Sequence, residues 1–193
     1  MGYMAVIKAV TNLRDAQKAL FVYEEIGRSG LGVDVKMNNA LMNMFLKCGD
    51  VEAVRSVFGK MKVRTKVSWT IAVECLNECG EYYQVIQLLE EMKAKNIEID
   101  DTVLVCVAKA YAGLGDLEKA RKFYNEIKTK NNVNLCCSLM RMFSKCGDLE
   151  TTTSIFNQIE PKNIIAYTIM IENLCDHQKY QKAIDLFEEM EKS

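Results

Sequence analysis

A chain of 193 residues that is 49% hydrophobic and 26% charged has ordinary globular composition, and its one proline and lack of alternating aromatic runs argue against an all-β fold. A formal net charge of −1 gives no electrostatic support for a strongly basic partner surface. No apolar run reaches the roughly 18 residues of a membrane span, so no membrane partner is expected.

Helical patterning starts at once. Met1 to Val10 is already apolar at helical spacing, which leaves no targeting segment within this chain. A turn motif then recurs. Lys47-Cys48-Gly49-Asp50 returns unchanged ninety-eight residues later as Lys145-Cys146-Gly147-Asp148, with looser copies at Glu78-Cys79-Gly80-Glu81 and Gly113-Leu114-Gly115-Asp116. Each follows one apolar helical segment and precedes another. The glycine predicts a left-handed C-terminal cap, and the acid predicts a cap on the next helix.

Aligned on these glycines, the chain is a single repeat array over 1–193, divided into six units: 1–34, 35–65, 66–100, 101–132, 133–163 and 164–193. It begins and ends inside a unit and so reads as an excerpt of a longer array. The second helix of each unit carries one apolar stripe. It is Tyr82, Val85, Leu88, Leu89 and Met92 in the third unit, Leu117, Ala120, Phe123, Tyr124 and Ile127 in the fourth, and Tyr180, Ala183, Leu186, Phe187 and Met190 in the sixth. Steps of three and four put these on one face, which a lone hairpin cannot cover but a stacked neighbour can. Thr151-Thr152-Thr153 interrupts the stripe in the fifth unit and predicts the weakest second helix there. The expected fold is all-α: a right-handed superhelical solenoid of stacked antiparallel helical hairpins, first helices on the concave side.

Units of about 35 and 31 residues, with Asn39-Ala40-Leu41-Met42 leading to Lys47-Cys48-Gly49-Asp50, resemble the pentatricopeptide repeat family. Val67-Ser68-Trp69-Thr70 opening a unit, and Glu90-Glu91-Met92 or Glu188-Glu189-Met190 closing a second helix, add to the resemblance. The alternating lengths resemble the P, L and S variants of plant organellar proteins. On that resemblance units 1–34 and 101–132 are L-like, 35–65 and 133–163 S-like, 66–100 P-like, and 164–193 P-like and incomplete.

The resemblance implies binding of single-stranded RNA, about one nucleotide per unit, along the first helices. It assigns base-edge reading to a residue early in the first helix and to the last residue of the unit: Asn39 with Thr65, Thr70 with Asp100, Cys137 with Asn163, and Thr168 with a partner beyond Ser193. Thr70 with Asp100 resembles a guanine-preferring pair, since a carboxylate only accepts and guanine presents N–H donors. Val67 and Ile165 are the implied base-stacking residues, with Lys36, Thr102, Asn134 and Met1 in the same place elsewhere. Lys47 and Lys145 are the implied phosphate contacts, and Glu78 and Asp176 hold that place in the P-like units.

Other readings of these residues stand beside these. Asp100 and Asp101 can be an ordinary N-cap pair, and Val67 and Ile165 can be hairpin packing. Eight cysteines inside helical patterns, with no secretory signal ahead, fit a reducing compartment. Cys75 and Cys79 read as packed thiols rather than half a metal site. His177 has no nucleophile signature near it, and no enzyme, metal, cofactor or small-molecule substrate is expected. The function implied is sequence-selective RNA binding in organellar (mitochondrial or chloroplast) RNA processing or C-to-U editing, with an editing accessory protein as partner for unit 101–132. The alternative is a helical-repeat scaffold for protein interaction without direct RNA contact.

Overall fold

The computed structural model describes residues 2–30, 32–128 and 132–192, so the place assigned to Met1 lies outside the described residues. Among these, regular structure is entirely helical: α1 (Gly2–Leu13), α2 (Ala16–Arg28), α3 (Val35–Cys48), α4 (Val51–Lys60), α5 (Lys66–Glu78) and α6 (Tyr82–Ala94) form one compact body, Met1–Ile99. The second body, Asp100–Ser193, holds α7 (Asp101–Leu114), α8 (Leu117–Glu126), α9 (Val133–Lys145), α10 (Leu149–Gln158), α11 (Ile164–Asp176) and α12 (Tyr180–Lys192).

The repeated motif is a repeated helix stop. At the end of α3, Gly49 takes φ +75°, its N–H donates to Leu46 O at 3.0 Å, and Asp50 N–H donates to Phe45 O at 3.0 Å. These two bonds satisfy carbonyls that a helix end leaves without partners. The same pair ends α5 at Gly80 and α9 at Gly147. Helix α7 stops more simply, with Gly115 N–H on Tyr111 O at 3.0 Å. In the sixth unit, where the glycine is missing, Gln178 takes φ +58° and makes the same two bonds, to Cys175 O at 2.9 Å and from Lys179 N–H to Leu174 O at 2.8 Å. The turn therefore persists with a side chain in a backbone region that favours glycine.

The acid after each glycine has two uses, of which one was expected. Asp50, Asp116 and Asp148 accept from the amides of Ala53, Lys119 and Thr151 at 3.0, 3.1 and 3.0 Å, capping α4, α8 and α10. Glu81 makes no such cap and instead pairs with Arg55 of α4. Asp148 does both, also accepting from Arg121 Nη2 of α8 at 2.7 Å. Arg55 and Arg121 are each the fifth residue of their helix, so in either body an arginine strut joins one second helix to the start of the next. Burial pushes the Asp148 carboxyl up. Bonds from the Thr151 amide, the Arg121 guanidinium and the Thr151 hydroxyl outweigh it and hold the group below the usual carboxylate range.

Stacking follows from the stripes. In the first body α1, α3 and α5 lie side by side; α2 packs on both α1 and α3, α4 on both α3 and α5, and α6 on α5. The second body repeats this with α7, α9 and α11 flanked by α8, α10 and α12. Val85, Leu89 and Met92 are buried as expected, as are Ala120, Phe123 and Ile127. In α12, which packs on α11, only Ala183 of its five stripe residues is buried; Tyr180 and Phe187 are 60% and 46% exposed. Thr152 is fully buried, and α10 runs through all three threonines, whose hydroxyls bond to Asp148 Oδ2, Asp148 O and Leu149 O, each at 2.8 Å.

Within each body, edge-to-face aromatic pairs join two second helices to the first helix that follows. Tyr23–Phe45 and Phe58–Trp69 in the first body match Tyr124–Phe143 and Phe156–Tyr167 in the second, at centroid distances of 5.5, 5.1, 5.3 and 5.3 Å. The contact enters late in the first helix in α3 and α9 and early in α5 and α11. Geometry thus recurs every three hairpins.

Two stability measurements test this account. A Cβ at Gly147 would meet no heavy atom within 4 Å, so Gly147→Ala costs only its positive φ, about 1 kcal/mol; Gln178→Gly gains a similar amount. Both are read as urea midpoint shifts at unchanged m. Because the folded-state pKa of Asp148 is lowered, its contribution is present above the ordinary carboxylate range and lost as pH falls through it. Asp148→Asn still caps but carries no charge. At pH 7 it should be less stable by about 1 kcal/mol, since solvent screens the exposed guanidinium, and the difference should shrink as pH falls below the ordinary carboxylate range.

Candidate nucleic-acid interface

The residue that closes one unit is also the N-cap of the next first helix. Asp34 accepts from Met37 N–H at 2.7 Å, Asp100 from Val103 N–H at 3.1 Å, Asn132 from Asn134 N–H at 2.9 Å, and Asn163 from Ala166 N–H at 2.8 Å. Thr65 forms a capping box with Ser68, whose Oγ accepts from Thr65 N–H at 3.1 Å. Capping is thus the local reason these side chains stand where they do.

One helix over, the fifth residue of the preceding first helix comes to meet the cap. Asn39 Nδ2 donates to Thr65 Oγ1 at 3.4 Å, and Cys137 Sγ–H donates to Asn163 Oδ1 at 3.7 Å. Burial, ahead of the neighbouring Cys136, pushes the Cys137 thiol up, so it stays protonated and donates. Two sequence-derived pairs are therefore in direct contact. Capping and pairing coexist at one atom: Asn163 Oδ1 accepts from both Ala166 N–H and Cys137.

Thr70 and Thr168 each spend their hydroxyl proton on their own helix, donating to Lys66 O at 3.1 Å and Ile164 O at 2.8 Å. Outward, each offers lone pairs only. Val67 and Ile165, the second residues of α5 and α11, are 56% and 48% exposed, so neither is consumed by hairpin packing. Lys47 and Lys145 are exposed in the last turns of α3 and α9, and Glu78 and Asp176 are exposed at the same helical position in α5 and α11.

Of the two cysteines expected as packed thiols, Cys75 is buried, whereas Cys79 is exposed as the C-cap of α5 and is not packed. Burial pushes the Cys75 thiol up to about 12, leaving it a neutral packed group. His177 caps the end of α11 and sets its two ring nitrogens against Asn173 O at 2.8 Å and Gly147 O at 3.2 Å. Sequence reasoning passed over Ser68, which is fully buried and donates to Asn39 Oδ1 at 2.7 Å. The one signal was a hydroxyl at the third helical position, where Met37, Val103, Leu135 and Ala166 stand in the other units.

A model described as the PPR repeat matches residues 39–64, 67–97 and 105–132, and one described as the PPR repeat family matches residues 162–193; together these span more than half of the chain. The chain belongs to the pentatricopeptide repeat family. Its relatives include the Arabidopsis thaliana pentatricopeptide repeat-containing protein At4g14820, 33% identical over 69% of this chain, of which the chain spans 18%. Two others from the same plant are At2g22410, mitochondrial, 28% identical over 88% of this chain, and At1g11290, chloroplastic, 27% identical over 100%. The chain spans 25% and 24% of these two pentatricopeptide repeat proteins. Among solved structures, the pentatricopeptide repeat protein PPR10 in complex with an 18-nt psaJ RNA element matches with a TM-score of 0.82 at 15% identity, covering 91% of this chain and 27% of that one. PPR10 from maize matches with a TM-score of 0.77, also at 15% identity, covering 92% and 26%. At that identity the likeness establishes the helical repeat fold.

Proposed function

We propose that this pentatricopeptide repeat chain reads single-stranded RNA along its first helices, as part of a PLS-type array serving organellar RNA processing or C-to-U editing. The observation that carries the reading is the contact between the fifth residue of one first helix and the cap of the next, in Asn39–Thr65 and Cys137–Asn163. Two polar groups converge at a unit junction, as reading one base edge per unit requires. Val67 and Ile165, apolar and half exposed in the first turn, suit the face of a base. Thr70, Asp100 and Thr168 complete the reading set, with guanine preferred by the Asp100 carboxylate. Lys47 and Lys145 meet phosphate.

The aromatic contacts recurring every three hairpins support the L, S, P alternation. Mitochondrial and chloroplastic relatives support an organellar site of action. The L-like unit 101–132 is the proposed docking place for an editing accessory protein, because Val105, its fifth residue, has no polar group to offer a base. One observation favours the second reading, a protein-binding scaffold: the exposed Glu78 and Asp176 stand where Lys47 and Lys145 stand elsewhere.

Titration with short RNA separates the two. Single strands should bind in preference to duplex. With two lysine contacts, log affinity should fall with log salt at a slope of about −1.4, and Glu78→Lys with Asp176→Lys should tighten binding and steepen the slope to about −2.8. A slope unmoved by both substitutions would support the scaffold instead. Asp100→Asn tests base reading without disturbing the cap, since Asn caps α7 about as well as Asp. The melting temperature should hold while the preference at the third unit moves from guanine to adenine, whose N1 accepts from the new amide.

A further inference from the structure

An asparagine reads opposite chemistry depending on which way its amide faces. Its nitrogen donates and its oxygen accepts, and a free amide can offer either. Asn39 is not free. Ser68 Oγ has one proton, and its 2.7 Å separation from Asn39 Oδ1 is that of an O–H···O bond. Its lone pairs take Thr65 N–H at 3.1 Å and the Thr65 hydroxyl at 3.3 Å. Thr65 Oγ1, having given its proton to Ser68, accepts from Asn39 Nδ2 at 3.4 Å. The three side chains close a ring in which every proton has one acceptor. Turning the amide over would put nitrogen 2.7 Å from the serine oxygen and oxygen 3.4 Å from the threonine, short for N–H···O and long for O–H···O.

We infer that Ser68 is a specificity-positioning residue. It holds the Asn39 oxygen inward, so that the half-buried amide offers outward only its second N–H, and unit 35–65 favours cytosine over uracil. The discriminating atom is the ring nitrogen N3, a lone-pair acceptor in cytosine and an N–H donor in uracil. Ser68 is fully buried and does not itself touch RNA. The lock is confined to this junction, because the equivalent third residues Met37, Val103, Leu135 and Ala166 carry no side-chain oxygen. This inference rests on the RNA-reading function proposed above.

The test uses the full chain and single-stranded oligonucleotides that differ as C or U opposite the second unit, with a separate pair differing as G or A opposite the third. Wild type should favour C by about tenfold. In Ser68→Ala the amide is released, and the C/U ratio should fall to about twofold or less while the G/A ratio holds. Asn39→Asp keeps Ser68 in place and replaces the outward donor with an acceptor, so its preference should pass to U. That variant decides the matter should Ser68→Ala not fold, as thermal melting will tell. A C/U ratio unchanged in Ser68→Ala, affinity lowered alike for every oligonucleotide, or no reversal in Asn39→Asp overturns the role of Ser68. Wild type that separates G from A but not C from U overturns it too and leaves RNA reading intact. Wild type that binds none of the four removes both.

Discussion

An apolar stripe that a hairpin leaves open must find cover on a neighbouring helix, and most of the structure answers that constraint. Within each body α2, α4, α8 and α10 find cover by wedging between their own first helix and the one that follows. The wedge brings aromatic rings edge to face, sets an arginine beside the acid of the next turn, and lays successive first helices side by side. Once first helices are neighbours, the cap of one lies within reach of the fifth residue of the one before. The candidate interface is thus a by-product of hydrophobic stacking, decorated with polar groups.

Much of this was legible in the residues, for identifiable reasons. Glycine at 49, 80, 115 and 147 marks helix ends because a left-handed turn disfavours any side chain, and period-3.6 stripes mark second helices because only one face is covered. Local rules of this kind survive without a structure. The turn at Gln178 shows their limit, since the same pair of backbone bonds forms there without glycine. What sequence reading could not supply is what crosses between hairpins. The Arg55–Glu81 strut, the double duty of Asp148 and the burial of Ser68 against Asn39 depend on which neighbour lies alongside, and no spacing within one unit encodes that.

The site divides in the same way. The paired positions could be named from their place in a unit, and the structure puts Asn39 against Thr65 and Cys137 against Asn163. Which atom of each side chain is presented is a tertiary property. Thr70 and Thr168 give their protons to their own helices, and Asn39 gives its oxygen to a serine in the following helix. On any reading in which these positions meet a base, their chemistry is set as much by what lies behind them as by residue type.

On the proposed reading, in which the unit-closing residues both cap a helix and meet a base, an evolutionary consequence follows. Helix N-caps are drawn from Asp, Asn, Ser and Thr, and the three caps paired with a candidate reader here are Thr65, Asp100 and Asn163. Those same four residue types span the useful hydrogen-bonding characters at a base edge, from pure acceptor through amide to hydroxyl. Exchanges among them are near neutral for the fold while changing what the junction can recognise. Such an array can drift from one target to another by single substitutions without crossing a stability barrier. A repeat whose reading residue had no structural duty would lack that protected path, since nothing would hold the position to a polar alphabet.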